Sequence, residues 1–155
     1  MTTPAIGAPA PALSGPTDEG TFDLAAHAGK PVVVYFYPKD LTPGCTTEAC
    51  GFRDARAELE RAGAVVVGVS KDPPARHAKF RAKHQLNFPL VSDEDGAICE
   101  AWGVWQLKKF MGREYMGIVR ATFLIARDGT VAQAWPTVRV KGHVDSVLEA
   151  LRALA

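Results

Sequence analysis

Two periodicities alternate along the chain. Val32-Val33-Val34-Tyr35-Phe36-Tyr37 is an unbroken β-branched and aromatic run, as a strand buried on both faces requires. Pro38, Pro43 and Gly44 stop it. Beyond them Phe52, Ala55, Leu59 and Ala62 recur at three- and four-residue spacing, with Arg53, Arg56, Glu58 and Glu60 between them, which predicts an amphipathic helix. Val65-Val66-Val67-Gly68-Val69 predicts a second buried strand. Asp72-Pro73-Pro74 then predicts the cap and first turn of a helix reaching about Lys83. Phe88-Pro89-Leu90-Val91 leads to a short helix around Ala97 to Ala101. Two runs, 121–125 and 130–134, flank Arg127-Asp128-Gly129, a hairpin signal. Val144, Val147, Leu148, Leu151 and Leu154 stripe a closing helix.

The remaining stretches are weaker. Residues 1–20 are rich in Pro, Ala and Gly and read as an irregular lead-in, with Thr21-Phe22-Asp23-Leu24 pairing briefly. Residues 106–117, with their Lys and Gly content and the neighbouring Trp102, Trp105, Phe110, Tyr115 and Met116, read as a loop. Strands alternating with helices, then an antiparallel hairpin and a last helix, predict an α/β fold with a mixed central sheet flanked by helices. The 155 residues, 47% apolar, suit a single domain with one proper core.

Charge removes several classes of function. Eighteen basic and 17 acidic residues leave a formal charge of +1, and the longest basic run is Lys108-Lys109, so no nucleic-acid partner is expected. Met1-Thr2-Thr3-Pro4-Ala5 has neither the basic nor the apolar part of a signal peptide, and no stretch suffices to span a membrane. With three cysteines, an odd number, the expected location is a reducing cytoplasm.

Two of those cysteines carry the candidate chemistry. Cys45 falls where the first strand gives way to a helix. There the first amide N–H groups lack helical partners and the macrodipole is positive, both of which favour thiolate over thiol. Thr42, three residues earlier, offers a hydroxyl able to accept from the thiolate's neighbours and to donate to an incoming oxygen. Cys50 follows at a C-x4-C spacing, wider than a C-x-x-C motif. On a continuous helix five residues place the Cα atoms roughly 8–9 Å apart, beyond the roughly 7 Å that a disulfide tolerates. A bond between them needs the helix start to unwind, so the pair suggests a switch rather than a staple. Cys99, between Ile98 and Trp102, reads as a core thiol. The histidines at 27, 77, 84 and 143 are scattered and read as surface residues. C-x4-C has no matching second pair, and no metal is expected.

The string Tyr35-Phe36-Tyr37-Pro38-Lys39-Asp40 with Thr42-Pro43-Gly44-Cys45-Thr46-Thr47-Glu48-Ala49-Cys50 and Phe52-Arg53-Asp54 resembles the peroxiredoxins, in particular the bacterioferritin comigratory protein or peroxiredoxin Q branch. The likeness extends through Asn87-Phe88-Pro89-Leu90-Val91-Ser92-Asp93, Gly103-Val104-Trp105, Arg120-Ala121-Thr122-Phe123-Leu124-Ile125 and Val140-Lys141-Gly142-His143. Two positions depart from it: Leu13 stands where the family usually has phenylalanine, and Ala126 where an aspartate commonly follows the strand.

The resemblance implies a thioredoxin-like fold and a thiol peroxidase. Cys45 would be the peroxidatic cysteine, attacking a hydroperoxide to give a sulfenic acid. Cys50 would resolve it as an intramolecular disulfide, reduced in turn by thioredoxin or a glutaredoxin-like protein. Thr42 and Arg120 would supply donors to the leaving oxygen, Pro38 would shape the pocket floor, and Glu48 would either orient Arg120 or serve as a solvated charge at the helix start. No flavin or nicotinamide fingerprint occurs, so no cofactor is expected and electrons come from a partner. The chain lacks the C-terminal resolving extension of peroxiredoxins that work across a dimer, and a monomer is expected. Two other classes compete. A dithiol oxidoreductase would act on protein disulfides without peroxide, and a holdase-type binding protein would be indifferent to Cys45→Ser.

Overall fold

The computed structural model describes residues 2–154; Met1, first residue of the expected lead-in, and Ala155 lie outside the described residues. In chain order the elements begin with β1 (Ser14–Thr17), β2 (Gly20–Asp23), a 3-10 turn (Leu24–His27), β3 (Val32–Phe36), α1 (Pro43–Asp54), α2 (Arg56–Arg61) and β4 (Val65–Ser70). They continue with α3 (Pro74–His84), β5 (Leu90–Ser92), α4 (Ala97–Ala101), β6 (Trp105–Phe110), β7 (Arg113–Ile118), β8 (Ala121–Ile125), β9 (Val131–Trp135) and α5 (His143–Leu154). The central sheet runs β5-β4-β3-β8-β9, with β3–β4 and β4–β5 parallel and β3–β8 and β8–β9 antiparallel. It is the mixed sheet expected.

β3 is buried at every position because helices and loops cover both of its faces. Period-two alternation still sorts its side chains. Val32, Val34 and Phe36 join Leu13, Trp102 and Phe123 on one side. Val33, Tyr35 and Tyr37 join Phe52, Phe80, Leu124 and Val147 on the other. On that second side Tyr35 stacks on Phe52 at 4.9 Å between ring centroids. Gly68 of β4 makes room for it, since a Cβ there would stand 2.9 Å from Tyr35 Cζ.

Several sequence expectations change. Residues 106–117 are not a loop: β6 and β7 form an antiparallel hairpin with Lys108 opposite Tyr115 and Phe110 opposite Arg113. Its turn at Met111-Gly112 takes positive φ at both residues, 51° and 80°, the backbone of a tight two-residue hairpin without the usual Asn or Asp. The lead-in contains β1, which pairs with β2. The helix expected through Ala62 breaks at Ala55, where φ −85° and ψ 7° leave the helical range and separate α1 from α2. Asp72 does not cap α3; Pro73 holds that position, and the Asp72 carboxylate turns to Ser70 and the Asp40 amide.

Candidate active site

Cys45 lies in the first turn of α1, just beyond the carboxyl end of β3. Pro43 opens the helix, and the first i to i−4 bond runs from the Thr46 amide to the Thr42 carbonyl at 2.9 Å. The amides of Gly44 and Cys45 therefore have no helical partner and point toward the helix entrance. Thr42 does not cap them. Its hydroxyl donates to the Lys39 carbonyl at 2.8 Å, which commits its proton and leaves lone pairs for a visiting donor. Of the two roles expected of this hydroxyl, accepting and donating, the bond to Lys39 leaves the accepting one free. Cys45 is 1% exposed, whereas Pro38, Lys39 and Pro43 around it face solvent. Pro38, expected at the pocket floor, is itself exposed to solvent.

Arg120 reaches this entrance from the residue preceding β8. Register sets the approach: β8 is antiparallel to β3 with Ala121 opposite Phe36, so the residue before β8 faces the residues after β3. Nη2 donates to Cys45 Sγ at 3.3 Å and Nη1 to Glu48 Oε1 at 2.7 Å. Gly44 permits this, because a Cβ there would stand 3.2 Å from Nη2. Glu48 is 0% exposed, so of the two readings left by the sequence it is the one that holds Arg120. Burial raises its carboxyl to about 7, against the attraction and hydrogen bond of Arg120. Arg120 itself is lowered by burial but raised more by Glu48 and Cys45, with a net rise. Both shifts are upward, which favours the charged guanidinium but the neutral carboxyl; the guanidinium stays charged throughout, and the carboxyl is the partner that titrates.

Cys45 and Cys50 are both free thiols on one continuous helix, with Cys50 half-buried. Cys99 is fully buried, and burial first, then Asp93, raises its thiol well above the ordinary range. The histidine expectation fails at two positions. His77 and His143 are buried, the first against Asp40 and the Val91 carbonyl, the second against Thr122 Oγ1 at 2.8 Å. Both partners are distant in sequence, and a lone histidine codes nothing local about burial. The cluster of Asp40, Asp72 and His77 has metal-like spacing, with ligand atoms within 4.8 Å of one another. Its atoms are already taken up by Tyr37, Ser70, the Asp40 amide and the Arg76 cation, which contacts Asp72 at 3.2 Å. An apolar cleft of about 230 Å³ lined by Leu13, Leu24, Val32 and Ile125 lies at the opposite end of β3 from Cys45 and has no cysteine in its lining.

A buried thiol at a helix entrance, with a guanidinium on its sulfur and a mixed sheet behind it, defines a thiol-chemistry enzyme of the thioredoxin fold. A family model described as AhpC/TSA family matches residues 6–134. Peroxiredoxin Bcp of Bacillus subtilis is 48% identical over 151 residues, covering 97% of this chain and 96% of that protein. Among solved structures, the bacterioferritin comigratory protein of Xanthomonas campestris, described for its alkyl peroxide reduction activity, is 47% identical with a TM-score of 0.86 over 91% of this chain and 90% of its own. Xylella fastidiosa PrxQ, solved as a cysteine mutant, is 35% identical with a TM-score of 0.89 over 99% and 98%. The chain belongs to the AhpC/TSA family of peroxiredoxins. It is a thiol peroxidase, an antioxidant enzyme that takes a peroxide and requires a reductant. Among the described residues no helix is long and apolar enough to cross a membrane.

Proposed function

We propose that the protein reduces hydrogen peroxide and organic hydroperoxides through Cys45 and regenerates itself through Cys50. The observation that carries this reading is the 3.3 Å contact of Arg120 Nη2 with Cys45 Sγ. The guanidinium stabilises the thiolate and stands where the leaving oxygen gains charge. The sulfur attacks the terminal peroxide oxygen, the O–O bond breaks, and the departing alkoxide or hydroxide takes a proton, leaving Cys45 sulfenic acid. The Gly44 and Cys45 amides and Arg120 donate to the oxygens in flight, while Thr42 accepts from the hydroperoxide O–H and fixes its orientation. Glu48 positions Arg120. Pro38 forms part of the wall beside the entrance. The alkyl peroxide reduction named for the Xanthomonas campestris relative supports the organic part of this substrate range.

Cys50 then displaces hydroxide from the sulfenic sulfur, giving a disulfide and water. Both cysteines sit on intact helix, so α1 unwinds at its start for the bond to form. The exposed disulfide is reduced by a thioredoxin-type or glutaredoxin-like dithiol protein in a reducing cytoplasm. The enzyme works as a single domain and a monomer, with resolution inside one chain. Peroxide-dependent NADPH oxidation with thioredoxin and its reductase tests the scheme. Cys45→Ser abolishes turnover, Cys50→Ser blocks the thioredoxin-coupled cycle, and mass spectrometry finds a Cys45–Cys50 disulfide in oxidised wild type. Wild-type turnover from Cys45→Ser would sink the assignment.

A further inference from the structure

Behind the Cys45 loop lies a polar network that the peroxidase chemistry does not use. Tyr37, Asp40, Ser70 and His77 are all 0% exposed and Asp72 is 9% exposed. Asp40 stands in the middle of the loop between β3 and α1. One of its carboxylate oxygens accepts from Tyr37 Oη at 2.5 Å, and the other faces His77 Nδ1 of α3 at 2.5 Å. His77 Nε2 faces the Val91 carbonyl of β5 at 3.0 Å. The two ring nitrogens thus meet the Asp40 carboxyl group on one side and the Val91 carbonyl on the other, and the ring orientation is fixed from both. The Asp40 amide donates to Asp72 Oδ2 at 2.9 Å, and Arg76 Nη2 donates to the Asp40 carbonyl at 3.1 Å. Backbone and side chain of this one loop residue are thus bound to the residue after β3, to the connection between β4 and α3, and to α3 itself.

The next residue shows what the binding restrains. Leu41 has φ 64°, a left-handed conformation that a leucine adopts only under constraint. Thr42, Pro43, Gly44 and Cys45 follow directly. Freed from Asp40, this turn would leave that conformation and take the start of α1 with it.

We propose that His77, with Tyr37 and Asp40, is a positioning latch that sets how often the segment from Asp40 to Cys50 opens. On the two-cysteine reading above, on which this consequence rests, opening decides the fate of the Cys45 sulfenic acid. In the open segment Cys45–SOH and Cys50–SH condense to a disulfide with release of water. In the closed one a second hydroperoxide oxidises Cys45–SOH to the sulfinic acid and is itself reduced to the alcohol or water. The latch holds the closed, peroxide-reactive geometry, and its strength sets the division between these outcomes. His77 acts through the loop and touches no reacting atom.

Amide hydrogen exchange of the reduced protein tests the latch itself, independently of cysteine chemistry. In His77→Gln, peptides covering 38–50 exchange about tenfold faster than in wild type, and in the milder Tyr37→Phe about threefold faster, while β3 and β8 stay within about twofold. A merely structural role would accelerate all of these peptides together, and that result, or no change over 38–50, overturns the latch. If His77→Gln does not fold, Tyr37→Phe decides. The chemical consequence is read by mass spectrometry after peroxide titration, where the peroxide dose giving half sulfinic acid at Cys45 rises about tenfold in His77→Gln. An unchanged dose overturns the control of partition. Absence of any Cys45–Cys50 disulfide in wild type would instead defeat the two-cysteine reading, and the exchange data would still judge the latch.

Discussion

Arg120 donates to the sulfur of Cys45 at 3.3 Å although the two lie 75 positions apart in the chain. The same guanidinium holds Glu48 at 2.7 Å, so one planar fork serves the nucleophile and its own support. A lysine carries equal charge but cannot span both partners in one plane. Arg120→Lys is expected to lower kcat/KM for hydrogen peroxide by roughly 10²–10³, the scale of losing one positioned donor to a developing anion. Stopped-flow peroxide consumption under single-turnover conditions measures this directly. A variant within about threefold of wild type would show that charge alone suffices.

Gly44 separates activity from stability. It lies in α1, and its φ is not in the left-handed region, so alanine fits the backbone. Gly44→Ala reduces the freedom of the unfolded chain and favours the helix by about 0.5–1 kcal/mol. Its new Cβ would meet Arg120 Nη2 at 3.2 Å, and the flexible guanidinium tip moves off the sulfur in response. The expected variant melts no lower than wild type and has kcat/KM reduced about tenfold. Unchanged peroxide reactivity would mean that the guanidinium tolerates this displacement.

Much of this arrangement was legible because it is written locally. The run from Val32 to Tyr37 marks the central strand by composition, and Thr42-Pro43-Gly44-Cys45 marks a helix entrance by its breakers and its thiol. Arg120 was singled out by family resemblance, and the reason it reaches Cys45 is the antiparallel register of β8 on β3. What escaped the sequence is of two kinds. The β6–β7 hairpin exposes Leu107, Phe110, Met111, Tyr115 and Met116, so burial does not impose the alternation that identifies a strand. His77 was missed because burial of a histidine depends on what the fold brings to it, here Asp40 from 37 positions away. Tertiary pairing of that kind leaves no period in the chain.

Cys99 should be chemically silent. It is fully buried in α4 with its thiol raised by burial and by Asp93, and nucleophilic attack needs the thiolate. Iodoacetamide at neutral pH is expected to label Cys45 and Cys50 in the reduced native protein and to leave Cys99 unmodified until denaturant is added. Cys99→Ala should retain wild-type turnover and lose about 1 kcal/mol of stability from the small void. Native labelling of Cys99, or a drop in peroxidase rate without unfolding, would give that thiol a role the site does not provide for.

The pH dependence of stability carries two opposed contributions near the site. Burial raises Glu48 from 4.5 to about 7, so between those values the native protein keeps a proton that the unfolded chain has lost, and stability falls as pH rises. His143 is pushed from 6.5 down to about 4 by burial and then by Arg120. Between about pH 4 and 6.5 the unfolded ring binds a proton that the native one lacks, so stability rises with pH. Over the shared window of about 4.5 to 6.5 the slopes largely cancel. Glu48→Gln removes the first and should make stability climb by on the order of 2 kcal/mol across that window, while His143→Gln should make it fall by a similar amount. Urea unfolding at pH 4.5, 5.5 and 6.5 separates them, with each variant compared to wild type at the same pH. If both variants run parallel to wild type, Glu48 does not keep its proton and His143 does not lose its own in the native state as burial requires.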